Sequence, residues 1–271
     1  MRRASETGGV IVNADSQQLY DGLQVLTARP SPADEAALPH RLYGVADPSD
    51  SWSVGRWLTA VQGLLMSEPG PLVIVGGTGL YFHALLRGLA PVPPVPDAVR
   101  QTIEAEWLET GEAAVRRRLA DLDPGAERRV AAGDRQRLVR ALAVAVSTGR
   151  TLSDWQADSA PATLLIQDCE LWVVERERQE LYRRCDARVD QMFETGAIDE
   201  VATLLARNLA PDRPAMLAVG VREIAAVLKG EASLDDAREQ TKQATRRYAK
   251  RQLTWFRNQT PGWPRLSLSK N

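Results

Sequence analysis

Apolar residues along the chain form two short unbroken runs that predict buried β-strands. The first is Val10-Ile11-Val12 in the stretch GVIVNAD, and the second is Leu72–Val75 in PLVIVGGTG. Continuous β-branched and apolar runs, followed by glycine and a helix, are typical of parallel strands in a sheet covered on both faces. A third strand is predicted over Cys169–Val174. Between the first two strands, SVGRWLTAVQGLLMS repeats apolar residues at helical spacing and predicts a crossover helix.

The pattern changes after the proline-rich stretch PVPPVP at residues 91–96, which predicts a stiff linker. Three helical segments follow, each expected to end at a glycine: DAVRQTIEAEWLETG, EAAVRRRLADLDPG and DRQRLVRALAVAVSTG. Beyond the third strand, the apolar periodicity predicts helices only. The chain is therefore expected to begin an α/β core in residues 1–96, to insert a helical part over 97–160, and to return to the core with a helical C-terminal part over 161–271.

The composition of the 271 residues is that of an ordinary globular protein, with 44% hydrophobic and 25% charged residues. No apolar run approaches the roughly 18 residues of a membrane span, and the N-terminus lacks the hydrophobic segment of a secretory signal. The two cysteines and two histidines are too few and too scattered for a disulfide framework or a metal site. We therefore expect a cytoplasmic protein. Because the net charge is −1, any nucleic-acid binding must come from local clusters of cations.

The first predicted strand delivers Asp15 and Ser16 to the loop beyond its carboxyl end, where open α/β sheets usually present chemistry. The pattern alone leaves two interpretations of Asp15 open. In one, the carboxylate acts on a substrate. In the other, it caps a helix formed by SQQLYDGL.

The glycine cluster GGTG at residues 76–79 follows the second strand but lacks the lysine of a Walker phosphate loop. No G-x-x-x-x-G-K-[ST] string occurs in the 271 residues. The cluster also fails the dinucleotide pattern, because Phe82 occupies the last glycine position. The favoured interpretation is a strand-to-helix turn whose glycines allow tight packing.

The segment KQATRRYAKRQLTWFR, residues 242–257, contains six Lys or Arg residues and no carboxylate. Lys242, Arg246 and Lys250 recur every four residues and so share one face of the predicted helix. Cations at this spacing, with aromatic residues between them, favour a polyanionic partner such as RNA or DNA. The alternative is a solvated helix that buries its aromatic residues.

Four strings in this order resemble one family, the bacterial tRNA dimethylallyltransferases: NADSQQLYDGLQVLTARPS, VGGTGLYFHALLRGL, DRQRLVRALAVAVSTGRTLSDWQ and ATRRYAKRQLTWFRN. The resemblance implies transfer of a dimethylallyl group from dimethylallyl diphosphate to N6 of adenosine 37 in tRNA, with Mg²⁺ bound through the diphosphate. It implies a P-loop-kinase-like parallel sheet and a helical insertion that grips the anticodon stem-loop. It also implies an earlier strand and a nucleotide-binding Walker loop, which this sequence lacks. A monomer with no membrane partner is expected.

The resemblance assigns roles to individual residues. It implies that Asp15 is the general base acting on the flipped adenine, and that Thr78 and Arg188 act on the diphosphate. The family tyrosine that follows the pair matching Val219-Gly220 is replaced by Val221, which leaves one aromatic contact open. The positions that match tRNA contacts are Asp15, Ser16, Gln17, Gln18, Thr78, Arg100, Gln136, Arg137, Leu138, Val139, Arg140 and, in the segment 217–222, Arg222.

Three alternatives follow from the same residues. Without a Walker loop, the chain could be a non-catalytic tRNA-binding remnant, and these 271 residues are expected to be inactive or unstable because a strand lacks its neighbour. An enzyme that prenylates free adenine nucleotides is disfavoured, since such a substrate needs neither the insertion nor the cationic helix. A small-molecule kinase is disfavoured by the missing Walker lysine and the long helical half.

Overall fold

The computed structural model describes residues 1–268, which divide into two compact units. The first unit contains residues 1–84 together with the chain from Leu164 onward, and the second contains residues 85–163. Parallel strands lie in the first unit, and helices occur in both. This combination confirms the α/β class predicted from the sequence.

The α-helices described in residues 1–268 agree closely with the apolar periodicity, including the predicted crossover helix α3. In chain order they are α1 (Arg2–Thr7), α2 (Pro32–Ala37), α3 (Val54–Ser67), α4 (Gly79–Arg87), α5 (Asp97–Thr110), α6 (Glu112–Leu122), α7 (Pro124–Arg129), α8 (Arg135–Thr148), α9 (Leu152–Ala157), α10 (Arg178–Glu194), α11 (Ala197–Ala206), α12 (Val221–Leu228) and α13 (Leu234–Gln259). No helix in this part of the chain combines the length and apolarity needed to cross a membrane.

The larger sheet of the first unit has three parallel strands in the order β2-β1-β3. They are β1 (Val10–Asn13), β2 (His40–Arg41) and β3 (Leu72–Val75). β1 is buried throughout and pairs with both neighbours, as its unbroken apolar run predicts. The expectation that β3 is covered on both faces is wrong, because β3 is the outer strand among the described residues and the Val75 side chain is 49% exposed.

The third predicted strand is shorter than expected and belongs to a separate sheet. It begins at Val173 rather than Cys169, because residues Ile166–Asp168 form a 3-10 turn that ends at Cys169. This strand, β4 (Val173–Glu175), pairs in parallel with β5 (Arg265–Ser267). The periodicity predicted only helices beyond the third strand, and this prediction is wrong because β5 lies in the C-terminal part.

The second unit packs its helices around one apolar core, in which Ile103, Leu119 and Leu142 are almost fully buried. Helices α5 and α8 end at glycines with positive φ, Gly111 (φ 78) and Gly149 (φ 67), as predicted.

Helix α6 ends earlier than the glycine rule predicts, at Asp123 rather than Gly125. The Asp123 side chain accepts a hydrogen bond from the backbone N of Ala126 at 2.9 Å. Asp123 therefore serves as the N-cap of α7, and Pro124 takes the first helical position, where its missing N–H has no consequence.

Asn13, at the end of β1, fixes the loop that follows. Its buried Nδ2 donates to the carbonyl oxygens of Asp15 and Leu42, both at 2.9 Å, and its Oδ1 accepts from the backbone N of Asp15 at 2.7 Å. Its own carbonyl oxygen accepts from Trp57 Nε1 of α3 at 2.8 Å. Both amide hydrogens are thus used, and the backbone of Asp15 is held at two atoms.

Replacing Asn13 with Ala should destabilise the chain strongly. The Leu42 carbonyl and the Asp15 N–H would lose their partners, and the free energy of unfolding should fall by about 2–4 kcal/mol. Urea titration followed by circular dichroism measures the change. Asn258→Ala, on an exposed residue near the end of α13, is the matched control and should leave stability unchanged. Equal stability of the two variants would contradict the role given to the buried amide.

Candidate active site

Asp15 lies half-buried in the loop after β1. Its Oδ1 accepts a hydrogen bond from the backbone N of Gln17 at 2.9 Å, the usual way in which an aspartate closes a turn two residues ahead. Residues 16–30 form turns and no helix. The alternative in which Asp15 caps a helix over SQQLYDGL is therefore wrong.

Desolvation dominates the electrostatics of Asp15. Burial raises the pKa of its carboxyl group, and this effect exceeds the opposing contributions of the Gln17 N–H, the positive charge of Arg188 and the Gln18 N–H. A carboxylate with increased proton affinity is suited to accept a proton from a substrate.

Thr78 joins the turn after β3 to the loop after β1. Its Oγ1 accepts from the backbone N of Ser16 at 2.9 Å and lies 3.3 Å from Ser16 Oγ. The backbone N of Thr78 donates to the Ala14 carbonyl oxygen at 3.0 Å. Asp15 and Thr78 therefore belong to one site at the carboxyl ends of two adjacent parallel strands, where α/β sheets commonly bind ligands.

The glycines of the GGTG turn make room for helix α13. A Cβ atom at Gly77 would overlap the Gln252 side chain, and one at Gly79 would overlap the Trp255 indole. Both partners lie on α13. The packing interpretation of the cluster is thus confirmed: glycine is needed because another element approaches too closely for a side chain.

Tyr248 of α13 lies beside the same turn, and sequence reasoning did not assign it to the site. Burial, followed by the negative charge of Asp15, raises the pKa of Tyr248 to about 12. The available signal was its spacing, since Tyr248 and Gln252 are four residues apart and share the helix face that meets the GGTG turn.

A second tyrosine, Tyr43, is also close enough to Asp15 to respond to its charge. Burial and then the Asp15 charge raise the pKa of Tyr43 to about 12. Both phenols therefore stay in the neutral form at physiological pH.

Arg188 is an exposed residue of α10, near enough to Asp15 to lower the pKa of that carboxyl group. Within residues 1–268 it makes no hydrogen bond and no ion pair closer than 4.0 Å. Its charge is therefore available to an anionic ligand.

The two glutamines of the loop are committed to contacts within the chain. Gln17 Oε1 accepts from the backbone N of Val219 at 3.2 Å, which links the loop to the segment 217–222. Gln18 Nε2 donates to the carbonyl oxygens of Thr27 and Ala28 at 2.9 and 3.0 Å. Gln18 therefore keeps only its side-chain oxygen for another partner.

In the segment 217–222, Val221 and Arg222 begin helix α12 with opposite exposure. Val221, where the resemblance implies a tyrosine, is 1% exposed, so the valine side chain is buried within the chain. Arg222 is exposed.

The predicted tRNA-contacting run in the second unit is only partly accessible. Gln136, Arg137 and Arg140 are exposed on α8, with Gln136 and Arg140 on one face as their spacing predicts. Leu138 and Val139 are buried in the core of the unit. Their side chains point inward because they lie on the apolar face of the helix, and the contact of these two residues with tRNA stays a prediction.

The cations of the second unit differ in their pairing. Arg100 lies 3.1 Å from Glu104 and 3.6 Å from Asp97, and Arg137 lies 3.0 Å from Asp134. Arg140 makes no ion pair with any described residue, and partial burial lowers the pKa of its guanidinium. Arg140 is the predicted contact in this unit that is most open to a phosphate.

The basic helix α13 uses part of its charge for packing. Lys242 Nζ lies 2.8 Å from Asp190 Oδ1, and Arg246 Nη1 lies 2.5 Å from Asp186 Oδ1, both on α10. Two of the three cations on the predicted binding face are therefore already paired within the chain, and the contact of Lys242, Arg246 and Lys250 with a phosphate backbone stays a prediction. Lys250 remains exposed without an ion pair in the described part of the chain, and so do two neighbours, Arg247 and Arg251.

Comparison with known proteins identifies the family of this chain. The family model described as IPP transferase matches residues 18–259, and the chain therefore belongs to the IPP transferase family. The family resemblance drawn from the sequence is confirmed.

Its relatives are named for a more specific activity. The chain is 54% identical to the tRNA dimethylallyltransferase of Phenylobacterium zucineum (strain HLK1), over 98% of this chain and 87% of that protein. It is 52% identical to the tRNA dimethylallyltransferase of Caulobacter sp. (strain K31), with the same coverage.

Solved structures show the same fold. The crystal structure of the tRNA isopentenylpyrophosphate transferase from Bacillus halodurans matches with a TM-score of 0.66 and 31% identity, over 97% of this chain and 83% of that one. A eukaryotic dimethylallyltransferase acting on tRNA matches with a TM-score of 0.79 over 98% of this chain and 69% of that one. At 22% identity, this second similarity concerns the fold alone.

The raised pKa of Asp15 predicts a stability that depends on pH. In the unfolded chain the Asp15 carboxyl group has a pKa of about 3.9, and in the folded chain its pKa is higher. The contribution of Asp15 to stability therefore falls as the pH rises from the unfolded pKa through the folded pKa. Asp15→Asn removes the charge and can still accept the Gln17 hydrogen bond. Its Tm should exceed that of the unaltered chain by about 2 °C at pH 7.5, and this gain should vanish below about pH 4.

Differential scanning calorimetry between pH 4 and 8 measures the difference. Ser16→Ala, a neutral change in the same loop, should shift Tm equally at every pH. An Asn variant that is less stable than the unaltered chain at neutral pH would contradict the desolvation of Asp15.

Proposed function

We propose that this chain is a tRNA dimethylallyltransferase, which transfers a dimethylallyl group from dimethylallyl diphosphate to N6 of adenosine 37 in tRNA. The observation that carries the proposal is the desolvated Asp15 carboxylate, bound into one site with the Thr78 hydroxyl and within electrostatic reach of Arg188. The names of the relatives point to the same activity.

Asp15 acts as the general base. The exocyclic amine of adenine is a weak nucleophile because its lone pair is delocalised into the ring, so it must lose a proton as it attacks. In the transfer step the bond between N6 and C1 of the allyl group forms, and the bond between C1 and the diphosphate oxygen breaks. The N6 proton passes to the Asp15 carboxylate, whose raised pKa favours its acceptance.

Thr78 and Arg188 act on the leaving group. Allylic diphosphates ionise readily, so the main requirement is stabilisation of negative charge on the departing diphosphate. The Thr78 hydroxyl donates to its bridging oxygen, and the exposed Arg188 guanidinium neutralises its charge.

The Mg²⁺ implied by the resemblance would be bound through the diphosphate, not by a cluster of protein side chains. Among residues 1–268 no group of three or more His, Cys, Asp or Glu side chains could hold a metal ion. Mg²⁺ would arrive with the diphosphate oxygens and water, as is usual for this ion.

The target adenosine leaves the base stack of the anticodon loop before it reacts, as the target bases of base-modifying enzymes do. Ser16 and Gln18 follow Asp15 in the same loop and meet the extruded nucleotide there. The exposed Gln136 and Arg140 of α8 and the exposed Arg222 of α12 meet the backbone.

Replacing Asp15 with Ala should strongly reduce the rate of dimethylallyl transfer and leave the affinity for tRNA nearly unchanged. Transfer from radiolabelled dimethylallyl diphosphate to tRNA should fall by about 10²–10⁴-fold, the usual contribution of a general base. Filter binding should give a nearly unchanged tRNA affinity. Asp21→Ala removes an exposed carboxylate from the same loop and should keep full activity.

Two other outcomes have clear meanings. Lost tRNA affinity with transfer preserved would overturn the role of Asp15. Binding of tRNA with no transfer by the unaltered chain would favour the alternative, a tRNA-binding protein without chemistry.

Replacing Arg140 with Gln should weaken tRNA binding through one lost phosphate contact. The slope of log affinity against log salt concentration should decrease by about 0.7–1. Arg117→Gln, on an exposed arginine of α6, changes the net charge equally and should leave the slope unchanged. The same slope for both variants would contradict a direct contact by Arg140.

A further inference from the structure

The loop after β1 contains a turn at residues 24–29 that resembles the end of a helix. The backbone N of Arg29 donates to the Gln24 carbonyl oxygen at 3.0 Å, and the backbone N of Ala28 donates to the Val25 carbonyl oxygen at 3.1 Å. Ala28 takes the left-handed conformation (φ 53), as the residue after a helix does in a Schellman motif. Such a turn leaves N–H groups without backbone partners at its start and carbonyl oxygens without partners at its end.

Glu200 of α11 supplies the acceptors at the start of this turn. Its Oε1 accepts from the backbone N of Val25 at 2.7 Å, and its Oε2 accepts from the backbone N of Leu26 at 2.9 Å. Hydrogen bonds to a charged carboxylate are stronger than those between neutral groups. The side chains of Leu23 and Leu26 are 0% and 5% exposed, so their burial also stabilises the turn. The loop should therefore stay folded in a variant that lacks the carboxylate.

The Gln18 side chain binds the other end of the turn. Its Nε2 donates to the carbonyl oxygens of Thr27 and Ala28, at 2.9 and 3.0 Å. The Gln18 backbone is held separately, since its carbonyl oxygen accepts from the backbone N of Gly44 at 2.9 Å. Because both amide hydrogens are used, the turn sets the direction of the amide, and Oε1 can only accept a hydrogen bond. A ligand meets it with an N–H or O–H group, such as a base amine or a ribose hydroxyl.

We propose that Glu200 is a positioning residue for tRNA binding, because its carboxylate fixes the turn 24–29 whose carbonyl oxygens orient the Gln18 amide toward the extruded nucleotide. The inference rests on the proposed function, since the nucleotide is the one that the transfer reaction uses. It gives a task to α11, a helix in which the sequence predicted no contact with tRNA.

The first experiment compares Glu200→Gln with the unaltered chain. Glutamine keeps the size of the side chain, but its oxygen can accept from one of the two amides only, while its NH₂ group opposes the other N–H. The KM for tRNA should rise about tenfold, as expected for one lost hydrogen bond to a charged group. The kcat and the KM for dimethylallyl diphosphate should stay within about twofold, because the interaction concerns binding and not the transfer step.

Asp199→Asn is the matched control, because it removes the same charge from the adjacent, exposed position of α11. It should leave all three constants unchanged. Amide hydrogen exchange reports the hydrogen bonds themselves, and exchange at Val25 and Leu26 should accelerate in Glu200→Gln but not in Asp199→Asn. An unchanged KM for tRNA in Glu200→Gln, or unchanged exchange at both amides, would overturn the inference.

The second experiment asks whether Glu200 acts through Gln18. In a Gln18→Met background, which has no amide for the turn to orient, Glu200→Gln should raise the KM for tRNA no further. In a Gln17→Met background, where the lost contact is with Val219 and not with the turn, the rise of about tenfold should persist. Equal rises in the Gln18→Met and unaltered backgrounds would show an effect that does not pass through Gln18, and would overturn the inference.

The two proposals fail in different ways. No transfer by the unaltered chain would overturn the proposed function and this inference with it. Normal transfer by the unaltered chain, with a KM for tRNA that does not respond to Glu200, would overturn this inference alone.

Discussion

The buried amide of Asn13 is the constraint on which the site depends. A carboxylate at the end of a strand can point in many directions unless its backbone is fixed, and here the Asn13 side chain holds both the N–H and the carbonyl oxygen of Asp15. The same residue receives Trp57 of the crossover helix through its carbonyl oxygen. The position of Asp15 is therefore set by groups that never contact a substrate, at the carboxyl end of a fully buried strand.

Helix α13 serves two purposes with different faces. One face carries Lys242 and Arg246, which pair with Asp190 and Asp186 and attach the helix to α10. Another face carries Gln252 and Trp255, which close against the glycine-rich turn after β3. A run of cations without a carboxylate is therefore not by itself a nucleic-acid surface, since acids on a neighbouring helix can neutralise it.

Much of the fold was predictable because helices and buried strands leave a periodic pattern, and the bounds of α3, α8 and α13 follow it closely. The pairing of β4 with β5 was not predictable, because Arg265–Ser267 has no apolar run. The end of α6 was missed because Asp123 caps the next helix. In the site, Asp15 and Thr78 could be found from their places after strands. Tyr248 was missed, because its spacing from Gln252 becomes informative only once it is known which helix packs against the turn. The burial of Leu138 and Val139 was implicit in their apolar character, but matching to a contiguous motif obscured it.

The dependence of the GGTG turn on α13 has a consequence for biosynthesis. The turn leaves the ribosome long before the helix whose side chains fill the space above its glycines. During that interval the GGTG turn lacks its contacts with Gln252 and Trp255 of α13. These residues are separated from the turn by most of the polypeptide. Long-range closure of this kind is slow and exposes apolar surface while it waits. The contacts between the GGTG turn and α13 are therefore expected to form late in folding.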